Sequence, residues 1–290
     1  IDVVEGRDEL FRMRETPDRL IGRGVIDDKC AAAGFLETVQ QIGRDHIQEY
    51  DFGIMLTADE EVGGRDGVGY LIDELNIRSG IAFVPDSGEN WAVEAQEKGA
   101  LHLKVSVQGK SAHGSMPWEG DNAFDNLVSY INLLRKRLNI TDPDTARDEY
   151  LPTLNIGVVQ AGHATNQVPD TAEAKIDIRF VEPDDAARIR TVAHDLAHEM
   201  PSAITITEIM YGAPVNTPID HPVIEQFVDI LARFEIKPSY SRSTGATDAR
   251  YLAERGISTI ISQPLGGNLH ADDEWIDRRS LSLMPDIIRA

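Results

Sequence analysis

Hydrophobic and polar positions divide the chain into two patterns. From Ile1 to Val84, short apolar runs alternate with stretches of helical spacing. Ile1-Asp2-Val3-Val4 reads as the end of a core strand, and Phe52 to Leu56 as a buried strand. Ile81 to Val84 reads as a third, ended by Pro85-Asp86. Between them, Ala31 to Ile47 places Leu36, Val39 and Ile42 on one side of a helix, and a second helix is predicted near Gly67 to Leu75. Gly22-Arg23-Gly24 marks a turn. Strands alternating with helices predict an α/β fold with a mostly parallel sheet.

The pattern changes near Gly99. Leu101 to Val107 alternates strictly, as a half-exposed antiparallel strand does. A helix over Asn122 to Leu138, strands near Leu154 to Val159 and Ala172 to Phe180, a helix from Asp184 to about Glu199 and a strand over Ile204 to Ile209 follow. Strand-helix-strand-strand-helix-strand is the order of a ferredoxin-like α+β sandwich, so an inserted domain is expected over 100–212. The first pattern then resumes, with helices at Pro222 to Phe234 and Asp248 to Glu254 and a strand at Ile257 to Ser262. The first domain is therefore expected to be discontinuous, 1–99 plus 213–290.

Composition narrows the classes. At 290 residues and 41% hydrophobic content, the chain can build one large core or two smaller ones. No run of 18 apolar residues exists, so no transmembrane helix is predicted. A net charge of -21 argues against nucleic acid or anionic membranes as partners. Asp outnumbers Glu 28 to 21 and Lys is scarce, 7 against 21 Arg, which points to a salt-adapted source. The single cysteine, Cys30, excludes an internal disulfide and fits a reducing cytoplasm; it reads as a small core residue. There is no initiator Met and no signal peptide, and the first residues lie inside an apolar run, so upstream sequence is expected before Ile1.

The candidate chemistry centres on Thr57-Ala58-Asp59-Glu60-Glu61-Val62-Gly63-Gly64. Adjacent carboxylates at a strand end repel unless something positive lies between them, and a metal ion supplies that charge. The bland reading is a solvated acidic turn, common in so acidic a chain. Asp27, Asp86 and His270 likewise follow predicted strands or open loops, and strands of one parallel sheet bring their carboxyl ends together. Mixed His and carboxylate ligands suit zinc, with cobalt or manganese as alternatives. Three carboxylates and one His are too few for two well-filled sites. Other motifs fail. Gly109-Lys110-Ser111 lacks the earlier glycine of a P-loop, which is Lys104 here, and His194 and His198 read as a solvated helix face.

The ordered set Gly22-Arg23-Gly24-x-x-Asp27-Asp28-Lys29, Glu60-Glu61, Asp86, Ser111-Ala112-His113-Gly114, Asn166-x-Val168-Pro169-Asp170 and His270 resembles a zinc metallopeptidase and deacylase family. That family holds acetylornithine deacetylase, succinyl-diaminopimelate desuccinylase, aminoacylase, carboxypeptidase G and the carnosine-type dipeptidases. The resemblance spans essentially the whole chain. It implies a catalytic domain binding two zinc ions and an inserted lid and dimerisation domain. Asp27 would bridge the metals, Asp86 would complete the first site, and Glu61 and His270 the second. The family's strand motif His-x-Asp-x-Val aligns its Asp with Asp2, so the remaining ligand His would fall just before Ile1, and Asp2 would orient it. Glu60 would take a proton from the attacking water and return it to the leaving amine. His113 and Asn166 would stabilise the oxyanion, with His113 reaching a partner subunit's site. Arg179 would clamp a substrate carboxylate, unless it forms a structural salt bridge with an acidic neighbour. Thr247, in Gly245-Ala246-Thr247-Asp248, would line the substrate pocket. A cis peptide is expected between Asp27 and Asp28. Asp at position 86 resembles the dipeptidase members, whereas deacylases tend to carry Glu. The expected function is thus amide hydrolysis of a dipeptide or related small amino-acid amide, with an N-acyl amino acid deacylase as the alternative. Exposed strand edges of the inserted domain would pair in a homodimer. A non-catalytic scaffold is the rival class, and retention of Glu60 argues against it.

Overall fold

The computed structural model describes all residues from Ile1 to Ala290. In chain order the strands are β1 (Arg14–Glu15), β2 (Arg19–Ile21), β3 (Ile81–Val84), β4 (Val93–Glu97), β5 (Gly99–Gln108), β6 (Thr153–Ala161), β7 (Thr171–Phe180), β8 (Ala203–Gly212), β9 (Val215–Asn216), β10 (Tyr240–Ser243), β11 (Ser258–Ile261), β12 (Gly266–Gly267) and β13 (Trp275–Asp277). The α-helices are α1 (Lys29–Ile42), α2 (Tyr70–Asp73), α3 (Ala123–Arg137), α4 (Pro143–Asp148), α5 (Asp185–Glu199), α6 (Pro222–Arg233), α7 (Ala249–Glu254) and α8 (Arg278–Arg289). The chain forms two compact units. One comprises Ile1–Glu97, Val215–Ser243 and Thr247–Ala290, and the other Lys98–Pro214 with Thr244–Ala246.

In the first unit a sheet runs β10-β4-β11-β3, with β9 beside β4. Side chains alternate across its strands, so each face takes its own helices. Phe83, Val93 and Ile260 pack against α6 and α8 through Phe227, Leu231, Met284 and Ile287. Ala82 and Val84 pack the other way, with Ile72 of α2 and Leu252 of α7. A smaller antiparallel sheet, β1-β2-β13-β12, lies in the same unit. The second unit is a β-α-β-β-α-β sandwich with sheet order β6-β7-β5-β8, antiparallel throughout. Leu101, Leu103, Val105 and Val107 of β5 face Leu127 and Leu134 of α3 and Ile189 and Leu196 of α5. Asn122 caps α3 by accepting from the Phe124 and Asp125 N–H groups.

Three expectations are corrected. The main sheet of the first unit is mixed rather than mostly parallel. Only β3 with β11 and β4 with β10 are parallel, while β4 meets β11 and β9 antiparallel. The link 85–92 between β3 and β4 contains only a short 3-10 turn, and a parallel return needs a longer crossover. Second, Phe52 to Leu56 is neither a strand nor fully buried: Phe52 and Leu56 are more than two-fifths exposed. Apolar content alone does not make a strand, which needs a ladder partner, and this run has none. The same holds for Ile1 to Val4, where the Ile1 nitrogen donates instead to the Thr57 carbonyl (2.7 Å). Cys30 is buried, its thiol donating to the Ile26 carbonyl (3.2 Å), as a core residue should.

Gly34 of α1 faces Met284 of α8, where an added Cβ would lie 2.4 Å from the Met284 sulfur. Gly34→Ala should therefore lose roughly 1–3 kcal/mol from overpacking, outweighing the gain of about 1 kcal/mol in helix propensity. Urea unfolding should show that loss, and Met284→Val in the same chain should recover part of it.

Candidate metal centre and its supporting turn

Three side chains converge in the first unit. The ligand atoms of Asp27, Glu61 and His270 all lie within 4.8 Å of one another. His270 Nε2 is 2.9 Å from Asp27 Oδ2 and 3.5 Å from Glu61 Oε2. Asp27 follows the Gly22-Arg23-Gly24 turn, Glu61 lies in a 3-10 turn over Glu60–Val62, and His270 sits in the loop between β12 and β13. Asp86, just past β3, stands outside this tight group but close enough that Glu60, Asp28 and Asp27 raise its proton affinity, after burial as the main cause.

A buried pair that the sequence reading missed sets the frame. Glu274 Oε2 accepts from Arg23 Nη1 (3.0 Å) and the Gly24 N–H (3.0 Å), while Oε1 accepts from the Ile26 N–H (3.1 Å) and the Asp27 N–H (3.3 Å). Arg23 Nη2 in turn donates to the His270 carbonyl (3.0 Å). One ion pair thus ties the Asp27 loop to the His270 loop. The only signal in the sequence was Glu274 four residues after His270, unremarkable in an acidic stretch. The peptide between Asp27 and Asp28 is cis, as the family resemblance implies.

Asp2 grips the other acidic turn. Its two carboxylate oxygens accept from the N–H groups of Glu60 (3.1 Å) and Glu61 (3.2 Å). This fixes Glu60 and Glu61 as a unit, in addition to the orienting role expected of Asp2. Asp59 Oδ2 closes the following turn by accepting from Asp66 and Gly67.

The electrostatics are those of crowded carboxylates. Asp27 is pushed up to about 6 by burial and then by Glu61, with His270 opposing. Glu60 rises to about 7, first through burial and then through Asp248, Glu61 and Asp27, while Arg250 opposes. Asp248 rises to about 6 through burial, against the pull of Arg250. Glu97 rises to about 8 through burial, with Glu94 adding and its hydrogen bonds from Thr247 opposing. Two carboxylates and an imidazole this close form a donor set that a divalent cation fits, since it would offset the burial and the repulsion from Glu61 that raise the proton affinity of Asp27.

The remaining residues fall into three places. In the second unit, His113 and Asn166 lie on loops zipped together by Gly114 N–H to the Asn166 carbonyl (2.7 Å) and Val168 N–H to the Ala112 carbonyl (2.9 Å). Both are exposed, and His113 Nδ1 meets Ser115 Oγ at 2.8 Å. Arg179 spends its fork on Asp177, Nε at 2.9 Å and Nη2 at 3.2 Å, which is the structural salt bridge weighed against a substrate clamp. Thr247, in the first unit, gives its N–H and hydroxyl to Glu97 Oε2, both at 3.2 Å.

The chain belongs to the peptidase family M20/M25/M40, whose family model matches residues 1–289. The family resemblance read from the ordered motifs is thereby borne out. A peptidase M20 domain-containing protein of Schizosaccharomyces pombe is 29% identical over 89% of this chain and 59% of its own length. The chain thus spans about three-fifths of that relative. A succinyl-diaminopimelate desuccinylase of Parvibaculum lavamentivorans is 26% identical, covering 93% of this chain and 70% of that protein. The crystal structure of aminopeptidase PepT from Bacillus cereus superposes with a TM-score of 0.78 at 19% identity, over 96% of this chain and 74% of that one. That likeness is one of fold.

Two outcomes follow. Glu274→Ala would leave the Arg23 cation buried and unpaired, at a cost of about 3–5 kcal/mol. Guanidinium unfolding should register it. Separately, Asp27, Glu60, Asp248 and Glu97 all bind protons more tightly folded than unfolded, where carboxyls titrate near ~4. The folded state then carries more protons between those values, so stability falls as pH rises from about 4 to about 8. Melting in EDTA should follow that slope, and zinc should flatten it by favouring ionised Asp27.

Proposed function

We propose that the protein is a metal-dependent amidohydrolase acting on a dipeptide or related small amino-acid amide. The observation that carries this reading is the convergence of Asp27, Glu61 and His270 beside a non-ligating Glu60 whose proton affinity is raised to about 7. Asp27, Glu61 and His270, with Asp86 nearby, would hold zinc, two ions in the fullest form, with cobalt or manganese as substitutes. Bound there, the metal supplies a Lewis acid that lowers the pKa of water and polarises the scissile carbonyl.

The rest is the work of this chain's own groups. Glu60 takes a proton from the attacking water and passes it to the leaving amine, and burial, which raises its proton affinity, favours its holding that proton between the two transfers. Asp2 holds Glu60 in place through its backbone N–H. His113 and Asn166 supply oxyanion donors, His113 to the site of a second copy in a homodimer joined through the unit over Lys98–Pro214. That unit has open edges at β6 and β8 for such pairing. Arg179 and the Thr247 loop would contact the substrate, Arg179 by exchanging Asp177 for a substrate carboxylate. The reading places this work in the cytoplasm, where the single buried cysteine would stay reduced.

A second reading has its own support. The relative from Parvibaculum lavamentivorans is named a desuccinylase, so N-acyl amino acids are the alternative substrates. Against that, position 86 carries Asp, as in the dipeptidases of the family resemblance. A panel of dipeptides beside N-acetyl and N-succinyl amino acids, assayed with zinc, should show dipeptide cleavage. Turnover of the acylated compounds alone would establish the deacylase. Glu60→Gln should cut kcat by roughly 10²–10⁴ while zinc content per chain stays the same. Sedimentation at micromolar protein should show a dimer, and a monomer there would remove the proposed role of His113 in a partner's site.

A further inference from the structure

The Glu60-Glu61 turn is held from both ends, and one of the two holds belongs to residues with no assigned role. Asp2 binds its N–H groups. Its far end, the Gly63 carbonyl, accepts two strong donors at once: Tyr251 Oη at 2.6 Å and Arg250 Nη2 at 2.7 Å. Gly63 also closes the turn by donating its N–H to the Glu60 carbonyl (2.9 Å). The two donors therefore grip the last residue of a loop that begins at the proposed base and includes a proposed ligand.

The space around this contact is shaped for it. Gly64 has φ +64, and a Cβ there would lie 1.9 Å from Asp248 Oδ1, so only glycine lets the turn seat against the start of α7. Gly69 gives way to the Tyr251 ring, with an added Cβ 3.0 Å from Tyr251 Cε1. The start of α7 is itself anchored. Thr247 donates to Glu97, and its hydroxyl accepts from the Ala249 N–H (3.2 Å). Glu97 is 1% exposed and lies beyond an irregularity in β4, where the register against β10 shifts between Glu94 and Gln96. In a regular strand residues three apart face opposite sides, and this shift brings Glu94 and Glu97 together. The path from β4 through Thr247 and α7 to Gly63 is continuous and made of hydrogen bonds.

We infer that Tyr251 and Arg250 are positioning residues, holding Glu60 and Glu61 in register with Asp27 and His270 through the Gly63 carbonyl. The inference rests on the metal-dependent amidohydrolase reading. Tyr251 acts through the turn alone, while Arg250 adds a cation that opposes the raised proton affinity of Glu60. A displacement of about 1 Å at a reacting group costs on the order of 10²-fold in rate, so a loosened turn should register in kcat before it registers in stability.

The test uses Tyr251→Phe, which deletes one oxygen and leaves the ring, and Arg250→Lys as a second variant that keeps the charge and loses the fork. Two quantities are read: kcat and KM on the preferred substrate, and zinc affinity by competition with a chromophoric chelator. Tyr251→Phe should lower kcat roughly 10- to 100-fold with KM within about twofold, and weaken zinc binding about tenfold, while melting in EDTA shifts by no more than ~2 °C. Arg250→Lys should move kcat and zinc affinity in the same direction by less. Unchanged kcat and zinc affinity in Tyr251→Phe would overturn the assignment. So would a loss that tracks a large drop in melting temperature, which would make the contact merely structural. If the parent protein binds zinc yet hydrolyses none of the panel, the amidohydrolase reading fails on its own, and the zinc affinities of the two variants still decide this inference.

Discussion

Like-charge crowding in a desolvated place is the constraint on which the rest of the first unit depends. Asp27, Glu60, Glu61 and Asp86 carry carboxyls into partly buried positions, and Asp27, Glu60 and Asp86 hold protons well above the usual carboxylate range. Left ionised together, these groups would drive their loops apart. They stay together because the backbone that carries them is over-determined. Glu274 and Arg23 lock the Asp27 and His270 loops, and Asp2 locks the Glu60-Glu61 turn. A scaffold that forces carboxylates close together is also one prepared to accept a divalent cation.

That logic explains why several costly features cluster here. A buried Arg23–Glu274 pair, the buried carboxyls of Glu94 and Glu97, and an Asp248 oxygen that receives no hydrogen bond all lie in the unit that carries the site. Each costs free energy in isolation. Their shared effect is to fix loops that have little regular structure of their own. The second unit shows the opposite economy. Its core of Leu, Ile, Val and Ala is assembled from long alternating strands and two amphipathic helices. Lys98 is its main buried charge, the Nζ donating to the Leu151 carbonyl.

The two units were unequally legible for the same reason. Leu101 to Val107 alternates because one face packs on helices and the other meets water, so its period of two is written in the sequence. The helices over Ala123–Arg137 and Asp185–Glu199 are equally clear in their spacing. Phe52 to Leu56 misled because an apolar run reports affinity for a core and says nothing about whether a strand lies alongside to pair with it. Strands of two to four residues, such as β9, β10, β12 and β13, are too short to show a period at all. The direction of β4 was set by the short link before it, which a reading based on alternating strands and helices overlooked.

At the site, the sequence by itself determined which residues are the candidates for the proposed chemistry. Asp27, Glu60, Glu61, Asp86 and His270 stand out because their types and their order are local properties of the chain. Only the tertiary structure decided how those residues are held and which partners they keep. Glu274 under the Asp27 loop, Arg23 on the His270 carbonyl and Glu97 on Thr247 all depend on a third dimension. Such partners lie up to 251 residues apart in the chain, and a hydrogen bond between them leaves no periodic trace for a sequence to show.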